Sequence, residues 1–391
     1  MREIEYSRTK RAAKRLARPL TVALIALAGA TLAWPGAAGA ATLPGLPAWT
    51  GTSPWWTKLP GQLGQAGWTF PGGTPTPPKP PPAPPPTGGT GSGTGSSFGG
   101  TFTNAAGSRN YRGYVPSTYK AGTAAPLVVV LHGCTQSPDV IRELTRFHQL
   151  AESKGFIAVF PEQPQSANSQ KCWDFFQDAH VHRGTGEPSL IAGITDWVKQ
   201  HYTVDPNRTY VGGLSAGGAM ASVMAATYPD VYAAIGVGSG CEYAATATCA
   251  GYKSADPKTA AQAAYTEMGS RARPIPVIAF QGDKDTTVPP VNADQLVEQW
   301  QRTADLADDG TSNGSIPSSP TESVNGQVPS GRSYTVRHYV DAQKRELVQY
   351  WVVHGMSHAW SGGCSCQSYA DPTGPDETAA MYAFFMSHPK S

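Results

Sequence analysis

A chain of 391 residues is long enough for one full-sized domain with appendages. Its formal net charge is only +2, 15% of its residues are charged, and much of the positive charge falls in the first 18 positions. That leaves no basic face or stripe of the kind that grips a nucleic acid, and no nucleic-acid partner is expected.

Residues 1–40 read as a secretory signal. Arg8, Lys10, Arg11, Lys14, Arg15 and Arg18 make a basic start, an apolar stretch follows from Leu20, and Ala38-Gly39-Ala40 places small residues where a signal peptidase cuts. The apolar stretch is short, alanine-rich and interrupted by Pro35 and Gly36, which favours cleavage over a membrane-spanning anchor. The expected location is therefore secreted, extracellular or periplasmic, with no stable membrane insertion after cleavage. Residues 41–70 scatter Trp49, Trp55, Trp56 and Trp68 among Pro and Gly without helical or strand period. Residues 71–97 are Pro-rich and then Gly/Ser-rich, a semi-rigid linker with a flexible tail. The folded domain is expected over residues 98–391.

Apolar strand-like runs then alternate with helical stretches. Leu127–Leu131 reads as a buried strand, and Asp139–Lys154 has one apolar helical face. Ile157–Phe160 is a strand, Ser189–His201 a helix, Thr209–Gly212 a strand, and Ser215–Tyr228 a helix ended by Pro229. Ala233–Val237, Pro276–Phe280 and Leu347–Val353 are further strands, while Ala304–Arg332 is rich in Ser, Gly, Pro and Asn and reads as a long polar loop. Strand and helix in this alternation predict an α/β fold with a mostly parallel central sheet and helices on both faces. Six cysteines in an exported chain point to disulfides; Cys241 with Cys249 and Cys134 with Cys172 are the favoured pairs among the 15 pairings that six cysteines allow, while Cys364 and Cys366 could close on each other only with strain. Their spacings match no zinc pattern, and no metal site is expected.

Gly213-Leu214-Ser215-Ala216-Gly217 matches G-x-S-x-G between a predicted strand and a predicted helix, the context in which a tight elbow lifts a nucleophilic serine above a sheet. Such a serine needs a base, and the base an orienting carboxylate, in the chain order Ser, Asp or Glu, His. The strand ending at Gln281 runs into Gly282-Asp283-Lys284-Asp285, where two aspartates compete for the acid's role. The last strand leads into His354-Gly-Met-Ser-His358, whose Gly-rich part makes His358 the better base and leaves His354 a strand-end histidine with a structural hydrogen bond. Ala216 N–H, beside the nucleophile, and Cys134 N–H, after the strand that ends in His132-Gly133, are the expected oxyanion donors. His132 is read as structural. Cys134 as a nucleophile is the rival reading, disfavoured by its possible disulfide.

Four motifs together resemble the polyhydroxybutyrate (PHB) depolymerase esterases, related to feruloyl and acetylxylan esterases. They are His132-Gly-Cys-Thr-Gln136, Gly213-Leu-Ser-Ala-Gly-Gly218, Gly282-Asp-Lys-Asp-Thr-Thr-Val288 and His354-Gly-Met-Ser-His-Ala-Trp-Ser-Gly-Gly363. The resemblance covers about Tyr111 to Met386 and implies an α/β-hydrolase fold, Ser215, Asp285 and His358 as the catalytic triad, and no cofactor. Gln281 departs from the histidine that the family often has there. Cys172-Trp173 resembles a segment lining the site, so Trp173, and Trp360 beside the base, are candidate substrate-binding residues, with plain core packing the alternative for both and further walls expected in the loop after Ala304. The implied activity is a serine carboxylesterase acting on PHB-type polyester or its oligomers, with feruloyl or acetylxylan esters as the alternative. A non-catalytic surface-binding protein on the same fold is a distant third. Depolymerases of solid polyester commonly carry a C-terminal binding module; here a Trp-rich piece lies on the N-terminal side and reads as a spacer or envelope-associated stretch, with adhesion to a flat apolar or sugar surface as the alternative. A monomer is expected.

Overall fold

The structure, a computed structural model, describes residues 95–390. The signal-like segment, the Trp-rich piece and nearly all of the linker lie outside the described residues. The chain enters on a hairpin, β1 (Ser96–Asn104) and β2 (Gly107–Val115), paired antiparallel from Ser96↔Val115 to Asn104↔Gly107. In β2 every second side chain, Arg109, Tyr111 and Val115 among them, turns inward, the two-residue period of a strand with one buried face. Neither strand stood out in the sequence. β1 also begins two residues inside the stretch read as linker.

There follow β3 (Ala125–Leu131), α1 (Pro138–Thr145), α2 (Phe147–Lys154), β4 (Ile157–Pro161), α3 (Gly186–His201), β5 (Val204–Leu214), α4 (Ala216–Thr227) and β6 (Ile235–Gly238). Then come α5 (Pro257–Met268), β7 (Val277–Gly282), α6 (Pro290–Asp309), β8 (Glu322–Gln327), β9 (Ser333–Val340), β10 (Glu346–Val353), the two-residue strands β11 (Trp360–Ser361) and β12 (Ala370–Asp371), and α7 (Glu377–Ser387). Ten strands form one sheet in the order β1-β2-β4-β3-β5-β6-β7-β10-β9-β8. The middle six, β4 to β10 in that order, are parallel, and antiparallel strands finish both edges. β3 is buried at every position, as a strand covered by helices on both faces must be.

Two apolar layers sandwich the sheet. On one face α3, α4, α5 and α6 pack through Ile191, Met220, Ala264 and Leu296; on the other α1, α2 and α7 pack through Ile141, Phe147 and Phe385. Among the described residues no helix is long and apolar enough to cross a membrane.

Two sequence expectations need correction. The helix expected over Asp139–Lys154 is two helices, broken at Arg146, whose φ of 58° is left-handed. Its N–H closes α1 on Arg142 O, and its guanidinium reaches Gly362 O near the C-terminal end of the chain. The polar loop expected over Ala304–Arg332 is a loop only over 310–321 and 328–332. α6 runs on to Asp309 because Trp300, Thr303 and Ala304 continue its buried face, and β8 pairs with β9 along Glu322–Gln327. The solvent-facing side chains of β8 conceal it from a search for apolar periodicity.

Candidate active site

The parallel strands β3, β5, β7 and β10 deliver their following loops to one end of the sheet, where α/β folds place ligands. At the end of β5 the chain turns into α4 through Ser215, whose backbone sits at φ 59°, ψ −122°. A serine at positive φ is uncommon, and such conformations cluster at functional sites. The turn survives because its neighbours are glycines. A Cβ on either Gly213 or Gly217 would run into the carbonyl oxygen of Leu131 on β3. Ser215 N–H donates to Gly238 O on β6 at 2.8 Å, and Ser215 O accepts from Ala219 N at 2.9 Å, so strand and helix both grip the elbow.

Beyond β7, Asp285 is buried and fully engaged. Its Oδ1 accepts from Thr287 N at 2.9 Å and Val288 N at 2.8 Å; its Oδ2 accepts from Gln281 Nε2 at 3.1 Å and lies 2.7 Å from His358 Nδ1. A carboxylate at that distance favours the tautomer of His358 that carries its proton on Nδ1. Asp283 makes a second acid–histidine pair, its Oδ2 3.1 Å from His354 Nδ1 and its Oδ1 accepting from Gly355 N at 2.8 Å. Partial burial pushes its carboxyl up, but the Gly355 N–H and His354 outweigh this and hold it below the usual aspartate range. His354 Nε2 faces Thr335 Oγ1 at 3.0 Å, on β9. With Lys284 N donating to Met356 O at 3.0 Å, this pair fastens the acid loop to the histidine loop.

The third loop follows β3. His132 is buried between Gly133 O, 2.8 Å from Nδ1, and Gln163 N, which donates to Nε2 at 2.9 Å. Burial pushes its pKa down to about 4, so it is neutral and structural. Gly133 N donates to Gln136 Oε1 at 2.9 Å, and Thr135, at φ 65°, donates its N–H to Gln170 O at 2.6 Å. Neither Cys134 N–H nor Ala216 N–H finds an acceptor among the described residues.

Ser215, His358, Cys134 and Ala216 line one pocket, together with Leu214, Phe175, Val288, Tyr369 and the Cys241–Cys249 disulfide. No hydrogen bond joins Ser215 Oγ to His358 among the described residues; such contacts often tighten only around a substrate. The three disulfides join Cys134 to Cys172, Cys241 to Cys249 and Cys364 to Cys366, which removes Cys134 as a free thiol nucleophile.

Trp173 and Trp360 are corrections. Neither lines the pocket, and both are fully enclosed. Trp173 Nε1 donates to His132 O at 3.1 Å, and Trp360 Nε1 to Thr378 Oγ1 at 2.9 Å while its ring packs edge-on to Phe147. A buried indole needs an acceptor for its N–H, and both found one in the core. The segment after Ala304 contributes nothing to the pocket either. The sequence missed Phe175, Val288 and Tyr369 as walls of the pocket: Phe175 lies two residues from Trp173 and Val288 closes the Gly282–Val288 motif, but nothing in their spacing marks them as walls, and Tyr369 lies near no motif. Gln281 is the one departure that acquires a visible role, since its amide bonds Asp285.

A group of possible metal ligands, Asp174, His180 and Glu187, lies outside this pocket. Arg109 Nη2 sits 3.4 Å from Glu187 Oε1 in this group, and burial pushes the Glu187 carboxyl up to about 7.

A family profile described as Esterase PHB depolymerase matches residues 110–316, more than half of the chain. Poly(3-hydroxyalkanoate) depolymerase C of Paucimonas lemoignei is 36% identical over 237 residues, 57% of this chain and 56% of that protein. Acetylxylan esterase A of Emericella nidulans is 35% identical over 204 residues, 48% of this chain and 64% of that protein. The matched region thus spans less than two thirds of either relative. Among solved structures, an acetyl xylan esterase from Aspergillus awamori superposes with a TM-score of 0.58 at 23% identity, covering 74% of this chain and 99% of that one. At that identity the likeness is one of fold, the α/β-hydrolase architecture.

Proposed function

The chain belongs to the PHB depolymerase esterase family, and from that premise we propose that its pocket hydrolyses carboxylic esters through Ser215, His358 and Asp285. His358 Nε2 takes the proton of Ser215 as Oγ attacks the ester carbonyl. Cys134 N–H and Ala216 N–H hold the oxyanion, and the positive end of α4 adds to their field. His358 then passes the proton to the departing alcohol, and water repeats the sequence on the acyl-enzyme. Asp285 stabilises the imidazolium without itself taking the proton. The reaction asks for no metal or cofactor.

The observation that carries this reading is the 2.7 Å contact between Asp285 Oδ2 and His358 Nδ1 in a site that also holds a strained, glycine-flanked serine. Ser215→Ala is expected to lower kcat on p-nitrophenyl butyrate by about 10⁵–10⁶-fold, since triad members act as a unit. Turnover within ten-fold of the parent enzyme would remove Ser215 from the mechanism.

For substrate we propose short-chain hydroxyalkanoate polyester or its oligomers, which fits the mostly apolar walls of Leu214, Phe175 and Val288 and the depolymerase relative. Acetylated or feruloylated cell-wall polysaccharide is the second reading, favoured by the acetylxylan esterase relatives. A panel of hydroxybutyrate oligomers, polyester film, acetylated xylan and methyl ferulate separates them by kcat/KM. The same reading makes the chain a secreted monomer whose residues 1–40 are cleaved and whose catalytic domain follows the linker at 71–97. N-terminal sequencing of the exported protein and its size in solution test that layout.

A further inference from the structure

Tyr369 stands out on three counts. It is 46% exposed, one of few large apolar side chains so open among the described residues. It lines the Ser215 pocket, and its ring meets that of His358 edge-on, centroids 6.0 Å apart and planes at 81°. Its backbone sits at φ 62°, which glycine and asparagine tolerate and a bulky side chain rarely adopts. The surrounding chain holds it there. Trp360 N donates to Tyr369 O at 2.8 Å, β11 and β12 pair immediately beside it, and the Cys364–Cys366 disulfide sits in the loop between those strands. An exposed aromatic kept in a strained conformation gives the fold nothing that a smaller residue would not, so the strain points to the pocket.

The chemistry of His358 says which part of the pocket. The imidazole delivers its proton to the departing alcohol, so a ring packed against the imidazole at the pocket wall borders the alcohol side of the ester. We infer that Tyr369 is a specificity-determining contact for that alcohol portion, an apolar chain or planar group lying against its ring. The inference rests on the reading of Ser215 and His358 given above.

The experiment compares Tyr369→Asn and Tyr369→Phe with the parent enzyme on two ester series. One varies the alcohol at constant butyryl group (ethyl, hexyl, 2-naphthyl); the other varies the acyl chain at constant ethanol. Each kcat/KM is taken as a ratio to the parent enzyme on the same ester, so intrinsic reactivity cancels. Tyr369→Asn is expected to lose about ten-fold more on the 2-naphthyl than on the ethyl ester, the scale on which apolar contacts discriminate. The acyl series should keep its profile, and Tyr369→Phe should keep the alcohol discrimination. Asparagine suits a left-handed backbone, so the Tyr369→Asn protein should also melt at an equal or higher temperature. Equal loss on every ester would make Tyr369 a support for His358 and overturn the inference, as would an unaltered alcohol profile or a shift confined to the acyl series. Ethyl butyrate turnover by the parent enzyme, and its loss in Ser215→Ala, reports on the esterase reading separately.

Discussion

Two aspartates two residues apart each hold a histidine, and the two histidines lie four residues apart. Asp285 is enclosed and bonded by four donors, while Asp283 is partly open and bridges to His354. The proposed mechanism assigns them different work. Asp285→Ala should lower kcat by about 10⁴-fold with KM little changed, because the imidazolium loses its partner. Asp283→Ala should cost far less in kcat, about ten-fold, by loosening the two loops; a loss as large as that of Asp285→Ala would reverse the assignment. Gln281→Leu removes the amide donor from Asp285 Oδ2 and leaves the imidazole hydrogen bond in place. Its effect should resemble a lost hydrogen bond to a charged group, about 1.5–3 kcal/mol or roughly ten- to 150-fold in kcat/KM. The sequence could not separate Asp283 from Asp285 by position, since both follow β7 directly; the family pattern chose between them. The tryptophans show the opposite limit. A large aromatic near a motif looks like a wall, but only the packing reveals that Trp173 and Trp360 satisfy their N–H groups inside the core.

At the scale of elements, the junction of β5 and α4 is the least forgiving. Gly217 faces the backbone of Leu131 and His132, and backbone cannot swing aside as a flexible side chain can. Gly217→Ala should therefore destabilise the protein by about 1–3 kcal/mol in urea titrations and abolish most activity through displacement of Ser215. This junction, β3, β7 and β10 were legible because buried parallel strands are continuous apolar runs closed by glycine-rich loops. β1, β2 and β8 were not: β1 and β8 are the two edges of the sheet, β2 lies next to one of them, and all three carry polar outer faces with little composition to distinguish them from loop. Arg146 breaks an apparently continuous helix with a left-handed backbone that no local pattern marks, and its guanidinium contacts Gly362 more than two hundred residues away.

At the scale of the whole molecule, two carboxyls among the described residues, Glu242 and Glu377, are buried with one oxygen lacking a partner. Glu242, next to the pocket wall at Cys241, accepts from Ala255 N at 2.9 Å through one oxygen and has no partner for the other. Burial pushes its pKa up to about 7 from 4.5, so the folded protein retains a proton that the unfolded chain releases. The folded state thus binds more protons between about pH 4.5 and 7, and this group's contribution to stability falls as pH rises through that window. Glu242→Gln can keep the acceptor for Ala255 N without the charge. The two proteins should be similar at pH 5, and at pH 8 the variant should be more stable by on the order of 1–3 kcal/mol, read as a shift in urea midpoint. A gap that does not change with pH would place the ionisation of Glu242 elsewhere.

The six cysteines are not spread through the sheet. One disulfide anchors the loop carrying Cys134 N–H, another forms part of the pocket wall, and the third sits in the turn that leads to Tyr369. The ten-stranded scaffold is held by apolar packing and backbone pairing, while covalent cross-links frame the mouth where chemistry is proposed. Fold and competence should therefore come apart under thiols. Mild reduction should leave far-UV circular dichroism intact while turnover declines, and reoxidation should restore it. A newly made chain in reducing surroundings would be a finished framework around an idle serine, and arrival in oxidising surroundings would arm it.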